Sequence, residues 1–128
     1  KIVSQEQVDR MRIRTPSIAQ TVGNLSGGNQ QKVVIGKWLA RTPTLLILDE
    51  PTRGIDVGAR AEIYEHIANL AASGLGIIIV SSDMEEVLGM SDRVAVMHEG
   101  KISGIIEKKY DITEENIMIL ATGGSLDN

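Results

Sequence analysis

The chain has no cysteine and no phenylalanine, and only one tryptophan and two tyrosines among its 128 residues. The missing thiols exclude disulfide staples, thiolate zinc sites and a cysteine nucleophile, and they fit a reducing compartment. So few aromatic rings do not make a platform on which successive nucleobases stack. A basic surplus is missing too. There are 13 Lys and Arg against 17 Asp and Glu, for a formal net charge of -4, whereas a protein whose main partner is nucleic acid usually carries excess positive charge. Long apolar runs are absent. Those present are short, such as Leu45 to Leu48 and Ile77 to Val80, far below the roughly 20 residues of a membrane-spanning helix. Nucleic-acid binding and membrane insertion are therefore not expected.

What is present is globular: 42% hydrophobic and 23% charged residues, in a chain the size of one modest domain. It opens on Lys1-Ile2-Val3-Ser4, which is neither a signal peptide nor an initiator methionine. That start suggests a piece of something longer. The end, residues 123–128, is read as a disordered tail.

Ser4-Gln5-Glu6-Gln7 reads as a capping box for a short helix to about Arg12, and a second short helix is expected from Ser17 to Val22. A clear helix follows Ser26-Gly27-Gly28, over about Asn29 to Arg41, and Trp38 is expected to anchor a core. Thr44 to Asp49 is a continuous apolar run closed by acid, as in a strand buried on both faces of a parallel sheet. Asp56 is placed to cap a helix from Val57 to about Ala72, with Ala59, Ile63, Ile67 and Leu70 on one face and Gly74 at its end. Gly76 to Val80 is a second buried strand. Strand, helix, strand in that order implies a right-handed parallel crossover and an α/β fold. Ser82 to Glu85 reads as another capping box, opening a helix to about Met90. Strands over Arg93 to Met97 and Lys101 to Ile106 flank a turn at His98-Glu99-Gly100, and Thr113 caps a last helix to Ala121.

Two segments carry chemistry. Leu25-Ser26-Gly27-Gly28 puts a hydroxyl and two glycines directly before a helix. Free backbone N–H groups and the positive end of the helix dipole meet there, which suits a phosphate. The same residues also serve as an ordinary N-cap with a flexible loop. Leu45 to Glu50 brings two adjacent acids to the carboxyl end of a strand, where ligands sit in open α/β sheets. Adjacent residues on an extended chain point opposite ways, so Asp49 and Glu50 can divide their work, one on Mg²⁺ and the other polarising a water. The plainer reading is a strand end with two solvated acids. His66 is expected on the surface and His98 in a turn, and neither has a partner at metal-ligand spacing.

The succession of these segments resembles the ATP-binding-cassette ATPase family. Leu25 to Lys32 is similar to its signature loop, Leu45 to Asp49 to its Walker B strand, Gly54-Ile55-Asp56 to its D-loop, and Ile77 to Asp83 to the strand leading into its switch loop. Asn29-Gln30-Gln31-Lys32, the stretch from Asp49 to Arg60, and Ser81-Ser82 followed by Ser91-Asp92-Arg93 resemble the second cassette of tandem-cassette ATPases that energise bacterial importers of ribose, galactose, arabinose and xylose.

The resemblance implies a P-loop NTPase-like parallel sheet with flanking helices. Residues 1–42 would end the helical subdomain, and residues 43–122 would form the Walker B part of the core. The implied cofactors are ATP and Mg²⁺. Asp49 would help hold the metal, and Glu50 would orient the attacking water. Ser26, Gly27, Gly28 and Asn29 would contact the γ-phosphate of an ATP held by an opposing cassette, and Asp56 would help join the two sites. Implied partners are that cassette, membrane permease subunits and a sugar-binding protein, at the cytoplasmic face of the bacterial plasma membrane. No nucleic-acid partner is implied.

The chain also departs from the family pattern. No window satisfies the phosphate-gripping G-x-x-x-x-G-K-[ST] loop; Gly100-Lys101 has Ala95 where the first glycine belongs and Ile102 where the hydroxyl belongs. Ser82 stands where the family usually has a switch histidine, and serine cannot carry a proton at neutral pH. That keeps open a non-catalytic lobe serving a partner's site. The ATPase heads of DNA-repair proteins and the translation-linked cassette proteins share the signature and Walker B segments, so both stay open as well.

Overall fold

The computed structural model describes residues 27–126, which fall into two compact units that divide between Val80 and Ser81. The capping box at Ser4, the helices expected up to Val22 and the hydroxyl of Ser26 lie outside the described residues.

The first unit contains α1 (Gly27–Leu39), β1 (Leu45–Asp49), α2 (Val57–Ala72) and β2 (Gly76–Val80). The two strands pair in parallel, from Leu45 opposite Gly76 to Asp49 opposite Val80, and α2 is the crossover between them. It ends as expected: the Ser73 N–H donates to Asn69 and Leu70, and Gly74 turns the chain at φ 101°.

Helix α1 starts two residues earlier than the sequence suggests, because Gly27 and Gly28 are already helical. Its buried stripe is Gly28, Lys32, Ile35 and Gly36, the spacing of one face of a 3.6-residue helix. That stripe turns Val34 and Trp38 outward. Trp38 is therefore not the expected core anchor: it is 48% exposed, with the Arg41 guanidinium 5.1 Å from its ring centroid. The same logic corrects His66. It lies on the inward stripe of α2 with Ile63, Ile67 and Leu70, and is only 6% exposed.

The strands of this unit are buried on one face rather than two. Leu46 and Leu48 point inward, while Leu45, Ile47, Ile78 and Val80 are exposed. An apolar run on both faces marks a strand built to be covered twice; within the described residues only one cover is found.

The second unit holds α3 (Met84–Met90), β3 (Val94–His98), β4 (Lys101–Ile106), a 3₁₀ turn (Lys109–Asp111) and α4 (Glu114–Ala121). β3 and β4 form an antiparallel hairpin. Its turn residues Glu99 and Gly100 both have positive φ, 47° and 79°, which matches the right-handed twist of the strands. Val96, Ile106, Ile117 and Leu120 make the core, with Gly104 leaving room for Leu120: a Cβ there would stand 2.6 Å from Leu120 Cδ2. Thr113 caps α4 as expected, its Oγ1 accepting from Asn116 N at 3.1 Å. His98 closes β3 instead of sitting in the turn, and its Nδ1 meets the Ala121 carbonyl at 2.9 Å. The tail is not frayed over its first residues. Gly123 and Gly124 donate backbone hydrogen bonds to Leu120 and Ile119, and Leu126 packs on the core.

Candidate functional site

In the first unit, β1 carries Asp49 to the carboxyl end of the sheet, where the side chain is exposed. Glu50 has left the strand. It sits half-buried at φ 49°, its N–H donating to Val80 O at 2.7 Å and its carbonyl accepting from Arg53 N at 3.1 Å. A left-handed conformation at a non-glycine residue costs about 1–3 kcal/mol and persists only where the surroundings over-determine it. Here the next two residues, Pro51 and Thr52, are buried, and Thr52 Oγ1 lies 3.1 Å from the Tyr64 hydroxyl on α2. The expectation that Asp49 and Glu50 point opposite ways assumed an extended chain through both, and Glu50 is not extended.

The loop then tightens toward α2. Ile55 N donates to Thr52 O at 3.1 Å, and Arg60 Nε donates back to Ile55 O at 2.8 Å. Asp56 occupies the N-cap position of α2, but its side chain makes no capping hydrogen bond. Its carboxylate is exposed, and the helix takes up Asp56 through the backbone, with Arg60 N donating to Asp56 O at 3.0 Å. This corrects the expected side-chain cap.

The glycine motif comes to the same neighbourhood. A Cβ on Gly27 would find Ile55 Cγ1 at 3.7 Å and Gly54 O at 3.8 Å. A Cβ on Gly28 would meet Ala59 Cβ at 2.9 Å. Gly27 is exposed and Gly28 buried, while Asn29 is half-buried. The two glycines thus have different local tasks. Gly28 allows α1 and α2 to approach, and Gly27 leaves exposed backbone beside the loop. One turn on, Lys32 is buried and forms an ion pair with Glu62 of α2. Sequence reading missed this pair. Its signal is a lone lysine on the same stripe as Gly28, Ile35 and Gly36.

Ser82 lies in the second unit, and the structure corrects its expected role. Asp83, not Ser82, is the N-cap of α3: its Oδ1 accepts from Glu85 N at 3.0 Å and from Glu86 N at 3.3 Å. Ser81 Oγ in turn accepts from Asp83 N at 3.0 Å. Aspartate is among the strongest N-caps, and it stands one residue nearer the helix. Ser82 is exposed, and its hydroxyl makes no hydrogen bond among the described residues.

Among the described residues no group of three or more His, Cys, Asp and Glu is arranged to hold a metal ion. The exposed carboxylate of Asp49 fits a different kind of metal site. Mg²⁺ is held through one or two protein carboxylates, with water and substrate phosphates supplying its other oxygens. No helix among the described residues is long and apolar enough to cross a membrane.

Comparison with known proteins bears on this arrangement. A family model described as ABC transporter matches residues 3–53. The chain is 57% identical over 116 residues to the ribose import ATP-binding protein RbsA of Lactococcus lactis subsp. cremoris, covering 91% of this chain and 23% of that protein. It is 54% identical over 121 residues to the xylose import ATP-binding protein XylG of Geobacillus kaustophilus, covering 94% of this chain and 24% of that protein. The fold is similar to that of a crystal structure of a nucleotide-free ATP-binding cassette from an ABC transporter, with a TM-score of 0.82 and 25% identity over 91% of this chain and 45% of that one. The chain spans about a quarter of the length of the curated relatives it matches.

Proposed function

Because this chain belongs to the ABC transporter ATPases, we propose that its intact protein is the ATP-hydrolysing subunit of a bacterial monosaccharide importer of the ribose, xylose and galactose class. The observation that carries this reading is identity above one half, over nearly the whole chain, to proteins named for ribose and xylose import. The phosphate-gripping loop, of which this sequence has no copy, belongs to another part of the intact protein. The working assembly joins this cassette to an opposing one, to permease subunits and to a sugar-binding protein, and it sits at the cytoplasmic face of the membrane.

In this reading each residue does a task its chemistry permits. Asp49 offers a hard oxygen to Mg²⁺, which when bound neutralises phosphate charge. Glu50 accepts a hydrogen bond from the attacking water and turns its lone pair toward the γ-phosphorus. Ser26, Gly27, Gly28 and Asn29 present donors at a helix N-terminus to the γ-phosphate of an ATP held by the opposing cassette. Asp56, with its carboxylate unused by the helix, links the two nucleotide sites. Ser82 supplies a neutral hydroxyl at the switch position, and its free side chain supports a phosphate-facing role over a capping one.

Glu50→Gln in the intact protein tests the catalytic part. The amide is nearly isosteric but is not a base, and losses from removing a general base are typically about 10²–10⁴-fold. Turnover should fall by that order while ATP binding persists. Near-normal turnover, with the opposing site inactivated, would return Glu50 to a structural role. Uptake of labelled ribose, xylose and galactose by cells lacking the gene tests the substrate class, and undiminished uptake of all three would overturn it.

A further inference from the structure

The loop from Glu50 to Asp56 is pinned to α2 by two side chains that the proposed chemistry does not use. Arg60 Nε donates to the Ile55 carbonyl at 2.8 Å, and the Tyr64 hydroxyl meets Thr52 Oγ1 at 3.1 Å. Arg60 stands in the first turn of α2, where the positive end of the helix dipole disfavours a cation. One of its contacts there is with Ile55. Ile55 is buried, its N–H is taken by Thr52 and its carbonyl by Arg60, and its side chain lies beside Gly27 of α1. Ile55 is thus the point where the loop leaving Glu50 touches the N-terminus of α1. Whatever fixes Ile55 fixes the glycine motif against that loop.

We propose that Arg60 and Tyr64 are positioning residues, which hold the Glu50–Asp56 loop in register between the carboxyl end of β1 and the N-terminus of α1. Neither touches nucleotide in this assignment; both act through Ile55 and Thr52. The inference rests on the reading of Glu50 and Asp56 given above. A loop displaced by a fraction of an ångström leaves ATP binding to other residues intact and misplaces the carboxylate that must meet the water.

The experiment uses the intact protein with its other nucleotide site inactivated, and measures kcat, KM for ATP and melting temperature. Arg60→Met keeps the stem length and removes the donor. Arg60→Gln removes the charge but keeps an N–H donor at the same distance along the side chain. Arg60→Met should lower kcat about tenfold with KM within about twofold, a loss confined to the reacting geometry. Arg60→Gln should stay within about twofold of wild type in both. Tyr64→Phe, which removes only the hydroxyl facing Thr52, should lower kcat about threefold at unchanged KM and melting temperature. The inference is overturned if Arg60→Met keeps wild-type kcat, if Arg60→Gln falls as far as Arg60→Met, or if the loss tracks the melting temperature. Should Arg60→Met not fold, an unchanged kcat in Tyr64→Phe overturns it alone. Glu50→Gln in the same assay separates the two layers: an active Glu50→Gln defeats the catalytic reading, whereas an inactive Glu50→Gln beside indifferent Arg60 and Tyr64 variants defeats only this one.

Discussion

Gly28 offers a measurement that separates phosphate approach from helix packing. Replacing it with alanine adds a Cβ that would stand 2.9 Å from the Cβ of Ala59. Neither methyl can rotate away, since both are fixed to backbone. The helices must part by several tenths of an ångström at that point, and overpacking of this kind costs about 1–3 kcal/mol. Against it stands the helix preference of alanine over glycine, about 0.5–1 kcal/mol. The steric cost wins, so Gly28→Ala should destabilise by about 1 kcal/mol, or about 2–4 °C of melting temperature in a domain of 150–250 residues.

Gly27→Ala is the matched control. Among the described residues its Cβ would find only ordinary contacts, at 3.7 and 3.8 Å, so the propensity gain stands unopposed there and melting should hold or rise slightly. Adding Ala59→Gly to Gly28→Ala removes the clash and should recover the packing loss, though the second glycine in turn weakens α2 by about 0.5–1 kcal/mol. Differential scanning calorimetry of the intact protein with and without Mg-ATP gives the stability, and ATPase assay gives the function. If both glycines also leave backbone for a γ-phosphate, Gly27→Ala should lose activity with its stability intact. The packing argument fails if Gly28→Ala melts no lower than wild type, or if Gly27→Ala melts as low as Gly28→Ala.

The remaining predictions concern the second unit. Asp83→Ala should cost about 1 kcal/mol, since it removes the acceptor of two backbone N–H groups, while Ser82→Ala should stay within about 0.5 kcal/mol; equal losses in urea denaturation would show that the capping assignment is wrong. In the proposed reading, Ser82→His should leave the melting temperature unchanged and raise turnover of the intact protein, because it adds a titratable group at the position that the resemblance gives to the switch histidine without disturbing the cap. Flat turnover in that variant would mean that the serine does not limit turnover.

The parts of the fold legible in sequence were those in which local pattern and tertiary need agree. β1 ends in its acid, Gly74 stops α2 and Thr113 caps α4 because each depends on residues a few positions apart. The misreadings share one cause: several residue types satisfy the same local rule, and packing chooses among them. Ser82 and Asp83 are both good N-caps, and the position of the first helical turn selects Asp83. Trp38 and Ile35 are both large and apolar, but a stripe that must include Gly28 and Lys32 includes Ile35 and excludes Trp38. His66 is polar yet falls on the inward face set by Ile63, Ile67 and Leu70.

The site follows the same division. The residues proposed to act, Asp49, Glu50 and the glycines, are recognisable from type and spacing. What holds them is not, because it depends on partners distant in sequence: Lys32 with Glu62, thirty positions apart, and Thr52 with Tyr64, twelve apart. A lone lysine on a buried stripe marks Lys32, but no local pattern names the partner. The left-handed turn at Glu50 belongs to this second class. A glutamate has no preference for that conformation, so its strain is explained only by the buried residues that follow it and the helix they bind. The residues proposed to perform chemistry thus lie in the motif, and the contacts that fix their loop come from α2.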